Sequence, residues 1–179
     1  IWRGPMVTQA LEQLLSDTNW EDVDFLIIDL PPGTGDVQLT LCQKIPLSGA
    51  VIVTTPQDIS LIDARKGLKM FEKVEVPVLG VVENMSTFIC PKCGTTESIF
   101  GEGGGEQLAT ENDVKLLGEL PLQKSIREEM DKGTPTVSEN PESPTSMAYR
   151  EIARKMAATL SMRKKDYSSA FPKIVIQND

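Results

Sequence analysis

The sequence predicts an α/β fold with a mostly parallel sheet, and two features of the chain indicate it. Short apolar runs without polar alternation lie at 25–28, 49–54 and 77–83, and such runs are typical of strands covered on both faces. Segments in which apolar residues recur at helical spacing lie between these runs. Because strands and helices alternate over such short segments, the chain is expected to form parallel βαβ units.

Three helices are predicted in the first half of the chain. Pro5 suits the first turn of a helix over about 5–16, a short helix is predicted at 37–43, and a third at 59–72 with Asp58 as its N-cap. The third helix carries an apolar stripe made of Leu61, Ala64, Leu68 and Phe71. This stripe predicts packing against the sheet.

The second half begins with a glycine cluster at 103–105, followed by a short helix through Ala109. A strand is predicted at 115–120, ending at Pro121, and a helix at 125–132, stopped by Gly133. These elements extend the alternation of strands and helices.

A loop is predicted over 134–144, which is rich in Pro, Ser and Thr. Ser143 and Pro144 then begin a final helix to about Leu160. Its predicted buried stripe consists of Tyr149, Ile152, Ala153, Met156, Ala157 and Leu160. The chain is therefore expected to hold one domain portion over 1–160 and a C-terminal tail over 161–179.

The composition excludes several classes of function. A length of 179 residues suits one domain, and the net charge of -8 argues against nucleic acid as the main partner. The apolar runs are far too short to cross a membrane. Because the chain has no His, Ser-His-Asp and Cys-His catalytic systems and His metal sites are excluded. Three cysteines, two of them in one CxxC, predict a reducing, cytoplasmic location rather than a disulfide framework.

A phosphate and metal site is predicted where the run at 25–28 ends. Asp29 follows that run directly, and the loop Pro-Pro-Gly-Thr-Gly occupies 31–35. Glycines let backbone N–H groups approach an anion closely, and the N-terminus of the helix at 37–43 points toward the same loop. The alternative is an ordinary turn with a solvated Asp29.

A second site is predicted at Cys90 and Cys93, which are spaced as thiolate pairs on a metal knuckle are. A tetrahedral thiolate site needs about four ligands, and Cys42 is expected to be a small buried hydrophobe. The simplest source of the missing pair is a second copy of the chain, related by two-fold symmetry. A redox pair and a pair of idle thiols are the alternatives, although a redox CxxC usually opens a helix.

Four ordered motifs resemble the Mrp/ApbC family of iron–sulfur cluster carriers, within the MinD-like branch of deviant-Walker P-loop ATPases. They are DFLIIDLPPGTGD, TPQDISLIDARKG, VVENMS followed by CPKCG, and LGELPLQKSIRE. The resemblance runs from Trp2 to about Leu160. It implies a P-loop NTPase fold with a three-layer sandwich, ATP bound with Mg²⁺, and a homodimer. It also implies a 4Fe-4S cluster held by Cys90 and Cys93 of each subunit and exchanged with cluster-assembly factors and apo iron–sulfur proteins.

The resemblance also assigns roles to residues outside the CxxC. It implies that Asp29 holds Mg²⁺ through water at the end of the Walker B strand, and that Gly33 lies in switch II near the γ-phosphate. Asn84 would read the adenine edge, and Pro121 would lie where a loop packs against the base.

The chain departs from the family pattern in one respect. The deviant P-loop signature KGGxGKS/T is absent from the 179 residues, as is switch I. The chain is therefore expected to be the C-terminal portion of a longer ATPase and not to hydrolyse ATP alone. Lacking the P-loop strand, it should have an exposed apolar gap between the strands ending at Asp29 and Thr54.

Two other functions share these features. A MinD/ParA-type positioning ATPase has the same sheet but binds a membrane or DNA, and the CPKC pair argues against it. A non-enzymatic zinc-knuckle module would use the same thiols without a nucleotide.

Overall fold

A four-stranded sheet organises the part of the chain that the computed structural model describes, residues 4–30, 33 and 35–163. The strands are β1 (Ala50–Thr54), β2 (Val78–Ile89), β3 (Thr96–Glu97) and β4 (Leu116–Leu122). β2 is central and pairs in parallel with β1 and β4. β3 pairs antiparallel with the carboxyl end of β2. The predicted parallel βαβ arrangement is thus confirmed.

Helices precede, separate and follow these strands. They are α1 (Gly4–Asp17), α2 (Asp36–Lys44), α3 (Asp58–Lys73), α4 (Gly104–Glu111), α5 (Lys124–Asp131), α6 (Thr136–Glu139) and α7 (Pro144–Ser161). All but α6 match predicted helices, with small differences at their ends. α6 lies in the segment predicted as a loop, because a single turn is too short to give a periodic signal.

The sheet is covered on both faces, which gives the three layers expected of the fold. Ile52 and Val81 pack on one face with Leu108 of α4 and with buried residues of α3. Leu117 packs on the other face against Ile152 of α7. The layers follow from strand geometry, because successive residues of a strand point to opposite faces.

The cap of α7 is confirmed, since Ser143 Oγ accepts a hydrogen bond from the N–H of Ser146 at 3.1 Å. Two smaller predictions about helices were wrong. Ala153 is exposed rather than buried, because the sheet covers only a narrow strip of α7. Asp58 lies inside α3, and Gln57 is the N-cap residue, without a side-chain cap hydrogen bond.

The strand predicted at 25–28 is also wrong, since these residues form no ladder with any described residue. A strand is stable only when a neighbour pairs with it, and β1 pairs with β2 alone in the described part of the chain. Apolar side chains are exposed both in this segment and on β1: Ile27 is 71% exposed and Val53 is 62% exposed.

Within residues 4–30, 33 and 35–163, no helix has the length and apolar character needed to cross a membrane. The predicted tail at 161–179 begins inside the last turn of α7. From residue 164 onward it lies outside the described residues.

Gly118 lets α7 approach the backbone of β4. A Cβ atom at this position would lie 2.6 Å from Ile152 Cγ1, well inside van der Waals contact. Contact between α7 and the sheet therefore depends on the absence of a side chain on this strand.

We expect Gly118→Ala to lower the free energy of unfolding by about 1–3 kcal/mol, because Ile152 and α7 must move outward. Urea denaturation measures the change. Gly67→Ala is the control. Gly67 lies inside α3, and a Cβ there would be 4.0 Å from Ile52 Cδ1. The free energy of unfolding of this variant is expected to rise by about 0.4–1 kcal/mol. Equal losses in both variants would contradict this account of α7 packing.

Candidate functional site

A groove of about 530 Å³ runs along the unpaired edge of β1 toward its carboxyl end. It is lined by Gly33, Val51, Ile52, Val53, Thr54, Thr55, Ser60, Asp63, Ala64, Lys66, Gly67 and Asn84. The groove lies at the carboxyl end of parallel strands, and open α/β sheets bind their ligands there. A smaller cavity of about 310 Å³ lies beside Pro77 and Val78, at the opposite end of β2.

The groove brings together two of the predicted site residues, Gly33 and Asn84. Gly33 has φ +101°, a conformation that favours glycine. α2 begins at Asp36, so its N-terminus follows this loop directly, as predicted. Pro31, Pro32 and Thr34 lie outside the described residues.

Asp29 is not brought into the groove. It is exposed and is not one of the lining residues. The physical reason is that residues 25–28 form no ladder. Without pairing in the sheet, the backbone before Asp29 does not fix the direction of its carboxylate. The predicted role of Asp29 in Mg²⁺ binding stays a prediction.

The side chain of Asn84 is hydrogen-bonded to the backbone of the next residue. Its Oδ1 accepts a hydrogen bond from the N–H of Met85 at 2.9 Å. Its Nδ2 group makes no hydrogen bond with any residue in the described part of the chain. The amide therefore has two N–H donors available to a molecule in the groove.

Pro121 lies next to Asn84 across the ladder, since its neighbour Leu120 pairs with Asn84. The next pair is Phe88 with Leu122, so the β2–β4 ladder is irregular opposite Pro121. Proline has no N–H to give to a ladder and is tolerated at such irregularities. Pro121 is not one of the residues that line the groove, so its predicted contact with a base stays a prediction.

Glu83 is a residue of this region that sequence reasoning did not single out. It is only 1% exposed, and its carboxylate accepts a hydrogen bond from the N–H of Gly105 at the start of α4. Burial is the main cause that raises the pKa of Glu83, and the charges of Glu119 and Glu106 add to it, against the lowering effect of the Gly105 bond. The sequence offered one signal for this residue, because a carboxylate ends the apolar run at 77–83.

We expect Glu83→Gln to change how stability depends on pH. Because the pKa of Glu83 is raised in the folded state above its ordinary 4.5, its contribution to stability is present below about pH 4.5 and is lost as pH rises through the folded value. The stability of the variant relative to wild type should therefore increase with pH across that window. Urea midpoints at several pH values measure this difference. A difference that stays constant would contradict the raised pKa.

The two predicted thiols lie at the tip of a hairpin, which we call the thiol knuckle, residues 90–95. The N–H of Cys90 donates to the carbonyl of Thr95 at 2.9 Å, and the N–H of Gly94 donates to the carbonyl of Cys90 at 2.9 Å. Gly94 has φ +74°, which closes the turn. The short strand β3 follows the knuckle, rather than the helix that a redox CxxC usually opens.

Thr95 holds Cys93 in a form suited to metal binding. Its hydroxyl lies 3.2 Å from Cys93 Sγ. This contact, followed by the backbone N–H of Thr95 and the thiol of Cys90, lowers the pKa of Cys93 to about 7. The thiolate is the form that ligates metal, so the pair fits a thiophilic metal or cluster.

The thiol knuckle supplies only two ligands. Among the described residues, no group of three or more Cys, His, Asp or Glu side chains could hold a metal ion. Cys42 is buried at 4% exposure, and burial raises its pKa, which confirms that it is a small core residue. Among the residues that the structure describes, the knuckle therefore provides half of a four-thiolate shell.

We expect alkylation of Cys93 in the metal-free protein to be half-maximal near pH 7, with the rate followed by mass spectrometry of the modified peptide. Thr95→Val removes the hydroxyl, so the midpoint should move up toward the ordinary thiol value of 9.0. Thr95→Ser keeps the hydroxyl and should keep the midpoint. An unchanged midpoint in Thr95→Val would show that the hydroxyl does not stabilise the thiolate.

Known proteins share this architecture. The iron-sulfur cluster carrier protein of Escherichia coli K12 is 61% identical over 160 residues, which are 89% of this chain and 43% of that protein. A nucleotide-binding protein from Archaeoglobus fulgidus, solved in complex with ADP with Co found by PIXE, is 35% identical with a TM-score of 0.68, covering 80% of this chain and 58% of that one.

The cell division ATPase MinD of Pyrococcus furiosus is similar in fold, with a TM-score of 0.63 at 23% identity over 87% of this chain and 59% of that one. The chain spans less than half the length of the E. coli carrier. A family model described as ParA: NUBPL iron-transfer P-loop NTPase matches residues 1–157. This chain therefore belongs to the NUBPL iron-transfer P-loop NTPase family.

Proposed function

We propose that the protein containing this chain is a cytoplasmic, ATP-binding carrier of iron–sulfur clusters. The observation that carries the proposal is the thiol knuckle, in which an exposed Cys93 of lowered pKa and a half-buried Cys90 present two sulfurs and no third ligand among the described residues. The name of the E. coli relative, an iron-sulfur cluster carrier protein, supports the same function.

The cluster is the cargo, and two copies of the chain share it. A 4Fe-4S cluster takes four thiolates, and each thiol knuckle supplies two. A two-fold axis through the cluster would bring two knuckles together in a homodimer. Cys93 is exposed at the tip of its hairpin, so an assembly factor or an apo iron–sulfur protein can reach the site.

The groove beside β1 is the proposed nucleotide site. Asn84, which lines the groove, would contact the base, and Pro121, one position after the residue paired with Asn84, would pack against it. Gly33, on the same groove, would lie near the phosphates. The A. fulgidus relative, solved with ADP, supports a nucleotide as the ligand.

Asp29 would serve the same site by holding Mg²⁺ through water. We propose that a strand from outside these residues pairs between 25–28 and β1. The exposed Ile27 and Val53, one on each side of the gap, support this arrangement because such a strand would cover both. Pairing would also hold the segment that carries Asp29 at the carboxyl end of the sheet.

We expect anaerobic reconstitution with iron and sulfide to give a brown dimer holding one cluster per two chains. Cys90→Ser and Cys93→Ser should each remove at least about nine-tenths of the bound cluster. Each variant leaves one thiolate per chain, so a dimer offers two of the four ligands that the cluster takes. Cys42→Ser is the matched control and should keep the cluster, since Cys42 is buried in the core. Iron content, visible absorption and sedimentation measure these outcomes, and transfer to an apo-ferredoxin tests delivery.

Three results would contradict the proposal. They are a cluster held by the monomer, a Cys93→Ser variant with unchanged iron content, and a colourless protein that retains zinc alone. The last result would favour a zinc-knuckle module.

A further inference from the structure

We propose that Asn84 is a positioning residue for the thiol knuckle. Its side chain lines the groove and also fixes the path of β2, the strand that leads to Cys90. The proposal rests on the proposed function only in taking the knuckle as the metal site. The contacts that carry it belong to β2 and β4 themselves.

The first observation is a bulge in the middle of β2. Asn84 pairs with Leu120 of β4, and the next pair is Phe88 with Leu122. β2 therefore has two more residues than β4 between these pairs. Bulges of this kind bend a strand and redirect the side chains beyond it.

The second observation is the way in which the bulge is held. Met85 has φ +56°, a left-handed conformation that is rare for a residue with a long side chain. Asn84 Oδ1 accepts the N–H of Met85 at 2.9 Å, and the buried Ser86 donates its hydroxyl to the carbonyl of Leu120 at 3.2 Å. Two side chains thus supply the hydrogen bonds that the ladder does not make.

The third observation is that the chain is tightly held again directly after the bulge. Phe88 pairs with Glu97 as well as Leu122, and Ile89 pairs with Thr96. Cys90 follows at once with its bond to Thr95. The path of the bulge therefore sets where the thiol knuckle lies relative to the sheet.

The amide of Asn84 has two functions in this geometry. Its Oδ1 maintains the bulge, whereas its Nδ2 is available on a residue that lines the groove. A ligand that turns the amide would withdraw the acceptor from Met85. The Met85–Asn84 bond and the order of the knuckle are coupled in this proposal. Because coupling between two sites is reciprocal, a metal that orders the knuckle should also strengthen that bond.

Hydrogen exchange of the metal-free 179-residue chain tests the positioning role. Asn84→Ala should speed exchange of the amides at positions 85 and 90 by about tenfold or more, because the bulge opens locally. Asn84→Asp keeps an acceptor and should hold both amides within about threefold of wild type. The amides of Val81 and Leu117, in the core, report whether each variant is folded.

Rescue separates positioning from general damage. In Asn84→Ala combined with Met85→Gly, the left-handed conformation needs no support. Slow exchange should return at position 90, but not at position 85, where the acceptor is still absent. This combined variant and Asn84→Asp decide the proposal even if Asn84→Ala alone does not fold.

Cobalt(II), added alone, gives the spectroscopic readout through its thiolate charge-transfer band. Asn84→Ala should weaken cobalt binding about tenfold, the lower end of the loss seen when support for a metal ligand is removed, and Asn84→Asp should not. Cobalt should also slow exchange at position 85 in the wild-type protein.

The proposal is overturned if Asn84→Ala leaves position 90 unchanged, if Asn84→Asp behaves like Asn84→Ala, or if Met85→Gly does not rescue. A wild-type protein without a cobalt–thiolate band would instead reject the knuckle as a metal site. The exchange comparisons would still decide the role of Asn84.

Discussion

The parallel pairing of β2 with β1 on one side and β4 on the other is the constraint on which the rest of this structure depends. Val81 and Val82, adjacent on β2, belong to the cores on opposite faces of the sheet. One strand therefore anchors α3 and α4 in one layer and α7 in the other. The same strand continues past the sheet edge to carry the thiol knuckle, so stability and chemistry share one element.

The carboxyl end of β2 concentrates the unusual features of the molecule. Glu83 is a buried carboxylate bound to the first turn of α4, and Asn84 maintains a bulge opposite Pro121. The burial of a carboxylate and the bulge in the strand each cost free energy. Strain and buried charge tend to persist where function requires them, and here they lie between the groove and the two thiols.

Part of the candidate site could be predicted from sequence because its chemistry is local. The spacing of Cys90 and Cys93 predicts a turn, and the structure closes a turn there with the bond from the N–H of Gly94 to the carbonyl of Cys90. Gly33 and Asn84, both assigned through the family resemblance, line one groove toward the carboxyl end of β1. Glu83 was missed because its partner Gly105 lies 22 positions away, and no periodic pattern reports such a contact.

The sequence by itself determined the described helices other than α6, the cap at Ser143 and the turn at the knuckle, since each depends on residues a few positions apart. Only the tertiary structure decided which apolar runs became strands. The runs at 49–54 and 77–83 found neighbours, whereas the run at 25–28 found none among the described residues. The bulge that joins Asn84 to the knuckle was likewise decided by β4. The physical reason is that a strand, unlike a helix, satisfies its backbone hydrogen bonds only with a partner distant in the chain.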